Sequence, residues 1–326
     1  MTRTPYHSVH ISRRVFLHGA TAASAGAILT ACGATGGGST GGTSTSTEIA
    51  PTGRRVSVAT TTTLLRDFIA VVGGESRVVA FSLLTPGADP HDYEPTAADT
   101  QATGRADLIV THGAELDAWM DKLIAGANNR IPRVVATNGL ALLKGDGEFK
   151  GGDPHVWHDP SLVKGMILTI ADALGRVDAA HAAAYRQNAT AYGVQLDALD
   201  ANLRVRYGSI PPARRKLVTN HDAFQYLARR YNLQVVGSVI PSLSDAAEPS
   251  PKDIADLIAT IRREGVPAIF AESQANPRVA EQVAREAGVV IVDTLYADSL
   301  GPMGSDGDTY LKMMDANATA IVNALK

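Results

Sequence analysis

From Arg54 onward the chain alternates short apolar, β-branched runs with longer stretches of helical periodicity. The runs are "RRVSVATT", "RVVAFSLL", "ADLIVTHG" and "PRVVATNG" in the first half, then "RKLVTNHDAF", "LQVVGSVI", "VPAIFAES" and "VVIVDTLY" in the second. Such runs are apolar on consecutive residues, not on every other one, as strands must be when helices cover both faces of a parallel sheet. Two sets of them predict an α/β fold of two lobes, each a mostly parallel sheet flanked by helices. Between the sets, "DAAHAAAYRQNATAYGVQLDALDANLRVRYG" has no proline until Pro211, and Ala183, Tyr185, Ala189, Tyr192, Leu196, Leu199 and Leu203 recur on one helical face, with Gly193 the one weak point. The spacing predicts a helix over 178–208, roughly 40 Å long at ~1.5 Å per residue and so long enough to join the lobes as a rigid spine. The expected division is a first lobe over 54–177, the linking helix, and a second lobe over 209–326.

The pattern before Arg54 is different. Arg13 and Arg14 precede Phe16, Leu17 and an apolar run too short to span a bilayer permanently, ending in "LTAC" at Cys32. The twin arginines resemble a Tat export signal and the tetrapeptide resembles a lipobox, so residues 1–31 are expected to be a signal peptide and Cys32 the lipidated first residue of the mature chain. "GATGGGSTGGTSTST" then has the composition of a flexible tether, expected over 32–53. Cys32 is the only cysteine, which excludes disulfides and thiolate metal ligands. The expected location is the outer face of the cytoplasmic membrane, with the lipid membrane a partner through Cys32.

Charge removes another class of partner. The first 31 residues hold three arginines and no acid, leaving 27 basic against 33 acidic residues in the rest of the 326-residue chain. A surface of that sign repels phosphates, so nucleic acid is not an expected partner.

The chemistry lies in the histidines. Beyond Cys32 there are six, at 91, 112, 155, 158, 181 and 221. His181 falls among alanines of the predicted helix and reads as an exposed helix residue. His91 follows the run "VVAFSLL", His221 ends "KLVTN", and Asp298 follows "VVIVDTLY". Ligands of open α/β sheets bind beyond the carboxyl ends of the strands, so these three side chains, drawn from both lobes, can meet in one crevice. His155, in the proline-bounded "DPHVWHDP", can supply a fourth group. Imidazole is mostly neutral at pH 7 and then offers a lone pair to a metal. Taken singly, each histidine is as readily a hydrogen-bonded core or surface residue. A cluster of this kind also leaves a hydrolase, a structural clamp and a carrier open.

The motifs together resemble the cluster A-I (ZnuA/TroA-like) family, the metal-binding substrate-binding lipoproteins of ABC transporters that import zinc or manganese. The resemblance covers residues 54–326 and rests on "LLTPGADPHDYEPTAAD" with His91, "DPHVW" with His155, "TNHDAFQYLARRYNL" with His221, and "ADSLG" followed by "GDTYLKMMDAN" with Asp298. It implies that these four side chains hold the metal, that a long helix joins two lobes that close little, and that the partners are an integral-membrane permease and its ATPase, with the chain itself a monomer. Three histidines and one carboxylate form a nitrogen-rich set that suits zinc as the transported ion, with manganese the alternative.

Two histidines depart from the family pattern. His158 stands where leucine is usual after the tryptophan, and His112, in "VTHGAELDAW", stands where a small polar residue is common. Both are candidate outer or alternative ligands. Glu272 in "FAESQANP" is expected to support the metal ligands by hydrogen bonding. The His-rich loop of many zinc-specific relatives is absent, since "NGLALLKGDGEFKGG" has no histidine. A metallohydrolase would keep one metal position open for water, whereas four protein ligands close the shell. HExxH and Walker signatures are missing from the sequence, and there is no Gly-x-Ser-x-Gly elbow, since the one match, at Gly37–Gly41, lies in the Gly/Ser/Thr tract and not between a strand and a helix. A carrier, not an enzyme, is expected, with no catalytic residues.

Overall fold

In the computed structural model the described residues are 53–126, 130–145, 149–244, 247–272 and 277–326. Arg13, Arg14, Cys32 and the tether tract at 33–47 lie outside them.

Among the described residues, eight strands form two four-stranded, wholly parallel sheets. The first holds β1 (Val56–Thr60), β2 (Val78–Ser82), β3 (Leu108–Thr111) and β4 (Arg133–Val135) in the order β2-β1-β3-β4. The second holds β5 (Lys216–Thr219), β6 (Gln234–Ser238), β7 (Ala268–Glu272) and β8 (Val290–Leu295) in the order β6-β5-β7-β8. The two sheets share one winding, and the central strands β3 and β7 are buried along their whole length, in contrast to the half-exposed β6 and β8. This is the burial that the continuous apolar runs require.

The helices are α1 (Thr63–Gly73), α2 (Ala97–Thr103) and α3 (Trp119–Gly126) around the first sheet, α4 (Pro160–Val177) and α5 (Ala182–Gly208) between the sheets, and α6 (Gln225–Tyr231), α7 (Pro251–Glu264), α8 (Arg278–Ala287) and α9 (Tyr310–Leu325) around the second. Local chemistry sets their starts. Thr62 caps α1 through Leu65 N, Thr96 and Asp99 make a capping box on α2, and Ser250 with Asp253 makes another on α7, where Pro251 takes the first turn.

The linking helix begins four residues later than the sequence predicts. Asp178 sits between α4 and a 3₁₀ turn at Ala179–His181, because its carboxylate is taken by Arg77 Nε at 2.7 Å, Tyr185 Oη at 2.5 Å and His181 Nδ1 at 3.1 Å. A short acidic side chain bonded in this way competes with helix continuation. His181 is therefore a half-buried ion-pair partner, and Ala183, expected on the apolar face, is exposed. From Tyr185 onward the expected face is the buried one, through Ala189, Tyr192, Leu196 and Leu203, with Tyr207 continuing it.

One apolar cluster runs through both lobes. It takes Val58 and Leu108 from the first sheet, Leu217 and Phe270 from the second, and the inner faces of α1, α4, α5 and α9. Polar contacts cross the same boundary. Trp157 Nε1 donates to Ala297 O at 2.8 Å, Tyr310 Oη to Trp157 O at 2.7 Å, and Leu300 N to Thr63 Oγ1 at 2.9 Å. Among the described residues, no helix is long and apolar enough to cross a membrane.

Candidate metal centre

In a sheet wound 2-1-3-4 the crevice opens where successive connections leave in opposite directions, beyond the ends of the first and third strands. In the second sheet these are β5, which stops two residues before His221, and β7, which ends in Glu272. Asp298 comes from the next strand over, three residues beyond β8. The first sheet contributes His91 from the loop between β2 and α2, and His155 from the segment between β4 and α4.

Each loop is fixed by its own residues. Asp89 Oδ1 accepts from His91 N at 2.7 Å, Trp119 Nε1 donates to Pro90 O at 2.9 Å, and the Phe149 ring stands edge-on to the His91 imidazole at 5.4 Å. The His155 segment is held on several sides: Asp153 N donates to Leu143 O, Tyr226 Oη donates to Asp153 O at 2.8 Å, and His112 Nε2 meets Pro154 O at 2.8 Å. The prolines leave room only for a single 3₁₀ turn, Val156–His158, before Asp159 caps α4.

The four expected side chains meet. One ligand atom from each of His91, His155, His221 and Asp298 can be chosen so that all lie within 4.8 Å of one another. His155 Nε2 is 3.4 Å from His221 Nε2 and 3.4 Å from Asp298 Oδ1, while Asp298 Oδ2 is 3.3 Å from His221 Nε2 and 3.7 Å from His91 Nε2. A tetrahedral ion with bonds of about 2.0–2.1 Å needs its donors about 3.3 Å apart. Two of these separations, His221–His155 and His221–Asp298, join donor atoms that a single ion would share, and both are near that spacing. The side chains are buried, yet neither nitrogen of His91 nor Oδ1 of Asp298 has a hydrogen-bond partner. Buried polar atoms are almost always satisfied, so orphans converging on one point mark a place where something else binds. Burial alone would raise the Asp298 carboxyl, but the imidazoles of His221, His91 and His155 outweigh it and hold the group well below the ordinary carboxylate range.

Behind the imidazoles stand two carboxylates. Glu272 Oε1 lies 2.5 Å from His221 Nδ1, and Asp153 Oδ1 lies 2.7 Å from His155 Nδ1 while also accepting from His155 N at 2.9 Å. Each fixes the tautomer that leaves Nε2 free to face the centre. Sequence reasoning placed Glu272 in this supporting position and missed Asp153, whose signal was the aspartate two residues before His155 in "DPH".

His112 and His158 do not join the four. His112 is buried against the Trp157 edge and bonded to Pro154 O, so it positions the loop that carries His155; burial pushes its imidazole down to about 4, against the pull of Asp117. The turn beside it needs glycine: at Gly113, φ +93°, a Cβ would fall 2.3 Å from Val135 Cγ1. Asp117 holds this turn through Thr61 Oγ1 at 2.6 Å, His112 N at 2.5 Å and Gly113 N at 3.0 Å. His158 packs against Trp157 and lies tilted over Phe224 with ring centres 4.5 Å apart. It is fully buried, neither ring nitrogen makes a well-formed hydrogen bond, and burial together with the nearby His155 pushes it down to about 3.

The chain belongs to the ZnuA family, described as zinc-uptake complex component A, periplasmic, which it matches over residues 58–324. It is 34% identical over 272 residues to the iron-binding protein YfeA of Yersinia pestis, covering 83% of this chain and 86% of that protein. It is 30% identical over 281 residues to the manganese ABC transporter substrate-binding lipoprotein PsaA of Streptococcus pneumoniae, covering 83% and 89%. The solved structure of the periplasmic zinc-binding protein TroA from Treponema pallidum superposes with a TM-score of 0.78 at 32% identity, covering 83% of this chain and 99% of that one. Two parallel-sheet domains with a long helix between them are the fold of that protein and of this one.

Proposed function

We propose that the protein is an extracytoplasmic receptor that captures one divalent transition metal between its lobes, with His91, His155, His221 and Asp298 as ligands, and delivers it to a membrane permease driven by an ATPase. The observation that carries this reading is the convergence of the four buried donors within 4.8 Å, two of which, His91 and Asp298, have buried polar atoms without a hydrogen-bond partner. Its relatives work as substrate-binding lipoproteins of metal ABC transporters, and Cys32 is the residue through which this chain would be lipid-anchored to the outer face of the membrane.

The cargo we favour is zinc. Three imidazoles and a carboxylate suit its tetrahedral preference, and intrinsic affinity runs higher for zinc than for manganese in such a set. One observation favours a second reading, manganese. Both oxygens of Asp298 face imidazoles, Oδ1 towards His155 at 3.4 Å and Oδ2 towards His221 at 3.3 Å, so the carboxylate can bind through both and raise the coordination number. Metal analysis of protein purified without added metal tests the receptor reading, one equivalent being expected. Competition titration ranks the metals, and growth of a deletion strain identifies the cargo: rescue by manganese and not by zinc overturns the zinc assignment.

A further inference from the structure

A surface pocket of about 310 Å³ lies against the centre, lined by Leu143, Lys144, Asp153, Asp222, Gln225 and Leu243. Its two acids belong to the metal-site loops themselves. Asp153 holds His155, and Asp222 is the residue after His221. Asp153 Oδ1 is spent on His155, but Oδ2 is buried with no hydrogen-bond partner, in a residue only 1% exposed. A buried carboxylate oxygen left unpaired at the wall of a polar pocket is costly unless something positive meets it there. Asp222 presents its carboxylate to the same space, with Oδ1 accepting from Gln225 Nε2 at 2.7 Å. Lys144, exposed at the rim, is the one cation among the lining residues.

Resting on the metal-receptor reading above, we propose that this pocket is a staging site for the hydrated divalent cation, where Asp153 Oδ2 and Asp222 hold the ion by charge before it sheds water and passes to the His91–His155–His221–Asp298 centre. The chemistry of the two sites differs in the right sense. The pocket offers carboxylate oxygens, which suit an ion still carrying its waters, and the centre offers mainly imidazole nitrogens, which suit a dehydrated transition metal. Paired carboxylates at a narrow, low-dielectric mouth also raise the local concentration of cations and hence the capture rate. Asp153 serves both steps, lining the pocket and orienting His155 through Oδ1.

The test is stopped-flow mixing of the metal-stripped full chain with zinc nitrate, read by tryptophan fluorescence, since the Trp157 ring lies 5.3 Å from that of His155. Asp222→Asn keeps the shape and the Gln225 contact and removes one charge. It is expected to slow loading about fivefold at low ionic strength, to slow release in parallel, and to lose the difference in about 1 M potassium nitrate, where the Debye length is about 3 Å. Lys144→Gln, at an exposed position, is expected to speed loading. Wild-type loading rates in both variants overturn the proposal. So does a faster release from Asp222→Asn at an unchanged loading rate, which would make Asp222 only a support for His221. If the wild-type chain itself retains no zinc at equilibrium, the receptor reading fails, an outcome separate from either of these.

Discussion

The buried imidazole of His158 makes the metal-free protein sensitive to acid, by an amount its surroundings fix. The group titrates at 6.5 when free and is pushed down to about 3 in the fold, by burial first and by the proximity of His155 second. The unfolded chain therefore takes up this proton before the folded one does. Stability from this residue is intact above pH 6.5 and is lost as pH falls from there towards 3. At about pH 4.5 the unfolded imidazole is protonated and the folded one is not, which by linkage costs about 2–3 kcal/mol relative to neutral pH. His158→Leu removes this cost. At neutral pH it should also be neutral or stabilising by about 1 kcal/mol, because it takes away a buried polar group with no good partner. The assay is urea unfolding of the metal-free wild type and variant between pH 7.5 and about 4.5, which spans most of the expected window. The two curves of stability against pH should diverge below pH 6.5. Curves that stay parallel would refute the reasoning, since they would mean that His158 is hydrated or charged in the folded state.

Other consequences are as direct. Alanine at His91, His155 or His221 should lower metal affinity far more than His158→Leu in a competing-chelator titration, since only the former open the coordination shell; His158→Leu having the largest effect would displace the assigned ligand set. Glu272→Ala should weaken metal binding roughly 10- to 100-fold, and Glu272→Gln less, because glutamine can still accept from His221 Nδ1. Arg77→Ala leaves the Asp178 carboxylate, now held well below its usual range chiefly by that guanidinium, with only Tyr185 and His181 as partners, and should cost about 1–3 kcal/mol of stability by chemical denaturation. Cys32→Ala should yield a folded, metal-competent protein recovered in the soluble fraction; a variant still bound to membranes would count against lipidation.

The strands were legible because parallel sheets covered on both faces demand unbroken apolar runs, and each of the eight runs contains its strand. His91, His221 and Asp298 were legible for a related reason: strand ends are visible in sequence, and the winding rule says that strand ends share a crevice, whereas His155, well beyond β4, was legible only from its motif "DPHVW". Long-range side-chain partnerships were not. Nothing local to Asp178 announces that Arg77, 101 residues earlier, will claim its carboxylate and delay the linking helix. Likewise His158 looked like a second metal histidine only because its spacing from His155 suits a helical turn. The turn forms, but the His158 ring packs against Trp157 and Phe224 and does not join the four donors. Spacing reports which groups are close along the chain, whereas packing decides which way each one faces.

That packing also limits how a metal can reach the centre. The lobes share one apolar cluster along α4, α5 and α9, so swinging them apart would expose core residues such as Leu196, Leu203 and Met313, at roughly 1.5–3 kcal/mol for each large side chain uncovered. It would also break Trp157 Nε1 to Ala297 O and Leu300 N to Thr63 Oγ1, both beside the Asp298 loop. Loop movement costs less at His91, whose loop is held by one backbone cap, one indole hydrogen bond and one ring contact, than at His155, whose segment buries Val156 and Trp157 in the core. Exchange by loop movement requires the ion to approach from the side where those loops meet solvent. The pocket lined by Asp153 and Asp222 borders the centre through the carboxylate that holds His155, and for this reason a charge change at its rim should be felt in the rate of capture.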